Sequence, residues 1–244
     1  MRRLVVTGLP CPPEAWEKFL GKQKGQKILS LFEIFENCDS SDPRQMAKYV
    51  AEVIEKYKPD SILCHNLGVP LTIMALLRLS KKHPVETRLT LFNGAFRRMD
   101  LLKAKHPFRI QLMTLRRAIR EVEGKGGTVD LRLQKYMPRI RALYRYIILY
   151  GVSEKIAYSL GLDELIGTPN KFPLKVPIQM IVSPNDPYIP YGSIQQLRDD
   201  CSAKRYIEME YGHFPYSLPR EKIIPLIEEF ETPTLQAQAK QPSC

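Results

Sequence analysis

The chain has 244 residues, 44% of them hydrophobic, and a formal net charge of +11 from 37 Lys and Arg against 26 Asp and Glu. That length builds one well-packed domain with a small insertion, not two ordinary domains, and no stretch approaches the ~20 apolar residues that a membrane-crossing helix needs. The cysteines (Cys11, Cys38, Cys64, Cys201 and Cys244) are odd in number and lack C-x-x-C spacing, which speaks against a disulfide framework or zinc cluster and for reduced thiols in the cytoplasm.

In chain order, Met1-Arg2-Arg3 ahead of Leu4-Val5-Val6 is a basic start whose apolar run is too short for a secretory signal. Cys11 follows Pro10 and makes a poor lipidation site, and the terminal Cys244 has no prenylation spacing. Arg3 to Val6 reads as a strand, residues 13 to 20 as a helix, and Lys27 to Ile34 as a second strand. Asp42 is a good N-cap with Pro43 at the first helical position, and Met46, Val50, Val53 and Ile54 keep helical spacing to Tyr57. Ser61 to Cys64 is a third strand. A helix begins near Gly68, carries Ile73, Leu76 and Leu77, and is stopped by Lys81-Lys82-His83-Pro84. Leu89 to Phe92 is a fourth strand, leading to Asn93-Gly94.

From about Arg97 to Gly167 the pattern changes to basic helices without strands, with Gln111 to Glu123 and Tyr136 to Tyr150 amphipathic and Gly124-Lys125-Gly126-Gly127 a joint. Val176 to Val182 is the apolar run of a buried parallel strand. It ends in Ser183-Pro184-Asn185-Asp186, and a helix, the strand Arg205 to Met209 and the loop Gly212-His213-Phe214-Pro215 follow. Strands alternating with helices predict an α/β protein with a doubly wound, mostly parallel sheet and a ligand site at the strands' C-terminal ends. Residues 1–96 and 168–231 would form its core, 97–167 an inserted basic helical cap, and 232–244, polar and without periodicity, a flexible tail.

Ser61-Ile62-Leu63-Cys64-His65-Asn66-Leu67-Gly68 has the strand, sharp turn and helix start of a nucleophile elbow, with Asn66 where the attacking side chain would stand. A carboxamide cannot replace a hydroxyl as nucleophile. Asp186 and His213, each in its own loop, fit a hydrogen-bonded acid and base in which the carboxylate orients the imidazole and stabilises its protonated form. The plainer reading, a loop aspartate and an unrelated surface histidine, has both loop contexts and their order against it. His83 and His106, each before a proline, are loop residues, and His65, directly before Asn66, is not expected to transfer protons. No cluster has metal-ligand spacing and no glycine-rich loop has nucleotide-binding spacing, so neither metal nor cofactor is expected.

With elbow, acid and histidine in this order, the chain resembles the α/β-hydrolase superfamily up to about Phe230. Within it the short, helically capped form is similar to the pimeloyl-acyl-carrier-protein methyl ester esterases of the biotin pathway. The resemblance puts Asn66, Asp186 and His213 at the catalytic positions, Asn66 standing for the serine of G-x-S-x-G. Leu4-Val5-Val6-Thr7-Gly8-Leu9-Pro10, with Trp16 beyond, is similar to the family's His-Gly-x-Gly segment, Thr7 at the histidine position and Pro10 at the second glycine. It implies an oxyanion hole of the Leu9 and Leu67 backbone N–H groups, and an ancestral ester or thioester hydrolysis. Asn66 leaves three readings open: lost activity on a scaffold that binds a ligand or an acidic protein; altered chemistry in which His213 acts on water or substrate beside the amide; or an engineered exchange for serine.

The charge is concentrated. Arg97 to Lys155 holds 15 Lys and Arg against 5 Asp and Glu, a net of +10, leaving +1 for the rest of the chain. Arg116, Arg117 and Arg120, and Arg139, Arg141 and Arg145, are the candidate partner-binding residues; solvated helix faces are the ordinary fate of such runs, yet this surplus would attract an acidic partner. The family resemblance implies a small acyl substrate or an acyl carrier protein with its phosphopantetheine arm. An anionic membrane is a weaker alternative. Nucleic acid is disfavoured, since no binding motif is present and Tyr136, Tyr144, Tyr146 and Tyr150 are spaced as a helix face rather than a stacking platform.

Overall fold

A computed structural model of the chain describes residues 1–8, 13–39, 41–81, 84–96, 116, 120, 126–145 and 174–232. Among the described residues, six strands, β1 (Arg3–Val6), β2 (Gln26–Leu29), β3 (Ser61–His65), β4 (Arg88–Phe92), β5 (Ile178–Val182) and β6 (Arg205–Glu208), form one parallel sheet in the order β2-β1-β3-β4-β5-β6. Between them lie α1 (Pro13–Leu20), α2 (Leu31–Asn37), α3 (Pro43–Tyr57), α4 (Gly68–Ser80), α5 (Thr128–Arg145), α6 (Tyr191–Cys201) and, after β6, a short 3-10 turn and α7 (Arg220–Glu231). This is the doubly wound α/β architecture that the strand and helix alternation predicts.

The two-residue period of the strands divides the core. Leu4, Val6, Ile62, Cys64, Leu89, Leu91, Ile178, Met180 and Val182 face the side covered by α2 to α6. Val5, Leu63, Phe92 and Ile181 face the other, under α1 and α7. All these strand residues are buried, so side chains on either face are held by packing and the loops at the strands' C-terminal ends stand on a rigid base.

Two expected elements are corrected. Lys27 to Ile34 is not one strand: β2 stops at Leu29 and α2 starts at Leu31, because Ser30 caps the helix by accepting a hydrogen bond from Glu33 N–H at 3.1 Å. The helix expected from Tyr136 begins at Thr128, just after Gly127, and Pro138, which suits a first turn, lies in its interior. The helix buries Leu133, Tyr136, Ile140 and Leu143 at heptad spacing and stacks Tyr136 on Phe35 of α2, ring centroids 5.4 Å apart. The expected helix at 111–123 lies outside the described residues except for Arg116 and Arg120, both helical. Residues 146–173 and the expected tail beyond Thr232 also lie outside them. Among the described residues no helix is long and apolar enough to cross a membrane.

A buried ion pair closes the end of the sheet opposite the site. Arg3, first residue of β1, donates to both carboxylate oxygens of Glu231, last residue of α7, from Nε (2.8 Å) and Nη2, and Ser61 Oγ donates to Glu231 Oε1 at 2.6 Å. The side chains of Arg3 and Glu231 are 3% and 1% exposed. Removing one partner strands a buried charge, which destabilises by roughly 3–5 kcal/mol, whereas replacing both by apolar side chains is often near neutral. Glu231→Ala should therefore lose about that much in urea unfolding, and Arg3→Met with Glu231→Leu should recover most of it. A single substitution within ~0.5 kcal/mol of the parent would contradict a stranded charge.

Candidate active site

At the C-terminal end of β3 the chain turns sharply at Asn66, whose φ of 54° lies in the left-handed region, before Gly68 opens α4. Asparagine is among the few non-glycine residues that tolerate this backbone. Two glycines let neighbouring chain close on the turn. A Cβ on Gly68 would lie 2.2 Å from Val6 O, and one on Gly8 would lie 2.4 Å from Leu67 N and 2.6 Å from Asn66 Oδ1. The end of β1 and the start of α4 therefore clamp the turn from two sides.

The structure brings Asn66, His213 and Asp186 into one hydrogen-bonded line. His213 Nδ1 lies 2.7 Å from Asp186 Oδ2 and His213 Nε2 lies 2.8 Å from Asn66 Nδ2. Asn66 Oδ1 accepts from Leu67 N–H at 2.6 Å. A backbone N–H can only donate, so the atom facing it must be Oδ1; Nδ2 then donates to His213, Nε2 presents its lone pair, and Nδ1 carries the proton given to Asp186. The other Asp186 oxygen accepts from Tyr188 N–H (2.7 Å) and Ile189 N–H (2.9 Å). All three side chains are buried.

The surroundings fix this line. His65, fully buried, donates from Nε2 to the backbone carbonyl of His213 at 2.9 Å. Burial, and next the neighbouring His213, hold its ring well below the usual imidazole range against the opposing pull of that hydrogen bond, so His65 stays neutral and supports the loop. Tyr188 and Phe214 pack edge-on against the His213 ring, at 4.8 and 4.9 Å between centroids.

Asn93, directly after β4, is not among the site residues expected from sequence. It joins three elements: Oδ1 accepts from Ser183 N–H (2.8 Å) and Tyr211 Oη (3.0 Å), and Nδ2 donates to Gly212 O (2.9 Å). Tyr211 Oη also reaches Ile181 O at 2.7 Å. Burial, then the Asp186 carboxylate, push its phenol well above the ordinary value and keep it a donor. The signal available in the sequence was position, since Asn93 and Ser183 are polar residues directly after parallel strands.

Of the expected oxyanion donors, Leu67 N–H is engaged by Asn66 Oδ1, and Leu9 lies outside the described residues. The candidate partner-binding arginines that the structure describes each have their own surroundings. Arg116 and Arg120 both donate to Asp130, Nε to oxygen distances 3.1 and 3.2 Å, and Asp130 is fully buried. Burial opposes its charge, but the hydrogen bonds from Arg116, Arg120, Gln134 and Gly126 N–H outweigh it and hold the carboxyl below its usual range. Arg139 lies over the Phe35 ring at 4.6 Å and donates to Phe35 O at 2.7 Å and to Cys38 O, so it fastens α5 to the C-terminal end of α2. Arg141 is exposed, while Arg117 and the side chain of Arg145 lie outside the described residues.

No protein-family model and no curated protein matches the chain. Solved structures do match it. A structure of RedJ with a polyethylene glycol molecule in its active site aligns with a TM-score of 0.58 at 16% identity, over 96% of this chain and 89% of that one. A mutant epoxide hydrolase from Bacillus megaterium gives 0.57 at 14% identity over 93% and 92%, and human thioesterase 2 gives 0.51 at 16% identity over 99% of each. A further RedJ structure is described as the thioesterase of the prodiginine pathway in Streptomyces coelicolor. The chain has the α/β-hydrolase fold. Asn66 stands at the turn after β3, and Asp186 and His213 stand in the loops after β5 and β6.

Because Asn93 satisfies a buried N–H and holds the histidine loop, Asn93→Ala should destabilise the protein by about 1–3 kcal/mol in denaturant unfolding. It should also remove the low-field proton resonance of the His213–Asp186 bond. An unchanged resonance in the folded variant would show that Asn93 does not position His213.

Proposed function

We propose that the chain is an ester or thioester hydrolase with an altered nucleophile, acting on a carrier-linked or anionic acyl substrate. The observation that carries the reading is the line Asp186–His213–Asn66, with both imidazole nitrogens in hydrogen-bond contact. In this reading Asp186 orients His213 and stabilises its charged form, and His213 Nε2 takes a proton from water where a serine would otherwise attack. As a substrate carbonyl enters, the Asn66 amide turns away from Leu67 N–H, which then receives the oxyanion. Fold neighbours described as thioesterases support the substrate class. A cytoplasmic setting fits the buried, unpaired thiols of Cys64 and Cys201.

The proposed cap, 97–167, carries the case for an acidic carrier. With Arg116, Arg120 and Arg139 held by internal acceptors, the steering charge falls to the exposed Arg141 and to the basic residues around it in sequence. Exposed charge is screened beyond ~8 Å at physiological salt, so association with an acyl carrier protein should slow as salt rises and slow further in Arg141→Glu. Stopped-flow association rates indifferent to both would remove the carrier from the proposal.

In this reading Asp186 is the acid, His213 the base and Leu67 N–H one oxyanion donor, and only an attacking hydroxyl is missing. Asn66→Ser should therefore raise thioester and short-chain ester turnover on the order of 10²-fold. A folded Asn66→Ser protein without that gain, across several acyl lengths, would indicate a site that binds rather than hydrolyses.

A further inference from the structure

We infer that Asn66 is itself a substrate of this site: the His213–Asp186 pair hydrolyses the Asn66 carboxamide and leaves an aspartate at position 66. The inference rests on the reading of Asp186 and His213 as acid and base, and it adds a modification that installs an oxygen nucleophile at the elbow.

The amide lies as an acyl substrate would. Its carbonyl oxygen sits 2.6 Å from Leu67 N–H, the donor placed to stabilise an oxyanion, and its nitrogen, the leaving group, sits 2.8 Å from His213 Nε2. The other described asparagines supply an internal comparison. Asn37 Nδ2 faces Glu33 O, Asn93 Nδ2 faces Gly212 O, and Asn185 Nδ2 faces Glu210 Oε1 at 3.5 Å. Among these, Asn66 alone has its carboxamide nitrogen against an imidazole. Asn93 is the closest control, buried with two donors on Oδ1, yet no base stands at its nitrogen.

The step balances with water as the sole co-reactant. A water oxygen bonds to Cγ while His213 Nε2 takes its proton, and Leu67 N–H holds the tetrahedral oxyanion. The Cγ–Nδ2 bond then breaks as His213 returns the proton to Nδ2, and ammonia leaves. The carboxylic acid so formed passes its remaining hydroxyl proton to the now neutral His213 Nε2; the carboxylate then accepts from Leu67 N–H and from protonated His213, and presents the attacking oxygen that the amide lacks. The ordinary uncatalysed route differs: the Leu67 nitrogen attacks Cγ and forms a cyclic imide, which opens to a mixture of aspartate and isoaspartate. Here that nitrogen directs its hydrogen at Oδ1 as the first residue before α4.

The test incubates the purified full-length chain at neutral pH in ordinary and in heavy-oxygen water and maps its peptides by mass spectrometry. Asn66 should convert faster than the surface residues Asn37 and Asn185, gain one heavy oxygen, and yield aspartate without isoaspartate. His213→Gln and Asp186→Asn, checked for folding by circular dichroism, should slow the conversion on the order of 10²-fold. Conversion no faster than at Asn37 and Asn185 overturns the inference. So does an aspartate–isoaspartate mixture, which needs no variant to read. Substrate turnover without conversion would sink this inference and leave the hydrolase reading standing; conversion without turnover would do the reverse.

Discussion

The site depends on one backbone constraint, the left-handed turn at residue 66. β3 delivers it, α4 departs from it, and the close approaches at Gly8 and Gly68 leave the chain no room to relax. A serine in that conformation stores strain on the order of 1–3 kcal/mol. Asparagine is better suited to the left-handed region and brings a donor and an acceptor on the same side chain. The same residue therefore eases the turn and fills both of its polar contacts.

Those two groups make the buried site stable as it stands. Polar groups in a low-dielectric interior must be paired or they destabilise strongly. Asn66 pairs with Leu67 N–H and His213, His213 with Asp186, and Asp186 with two further backbone N–H groups. The line is closed, and the same closure that makes it stable aims the amide's carbonyl and nitrogen at the groups that could cleave it.

Much of this was legible in the sequence because it is written in local signals. Strand apolarity, the strand, turn and helix start of Ser61 to Gly68, and the loops that carry Asp186 and His213 each have a short signature, and their order along the chain adds to them. The break between β2 and α2 was legible too, in Ser30 followed by Glu33, but the apolar run Ile28 to Ile34 masked it. The bridging role of Asn93 was not, since its partners Ser183, Tyr211 and Gly212 lie 90 to 119 residues away. Nor was the Arg3–Glu231 pair, 228 residues apart. Pairings at such separation are set by the folded sheet and leave no local pattern.

Charge shows the same divide between count and use. The surplus of Arg97 to Lys155 reads from sequence as one basic surface, but a guanidinium can also serve as an internal fastener, with its stem packed and its fork on carbonyls or a carboxylate. Asp130 takes two arginines because a fully buried carboxylate needs several donors to remain charged. Arg139 caps the last carbonyls of α2, where helix polarity favours a cation. An arginine's worth to a partner follows in part from what it touches at home.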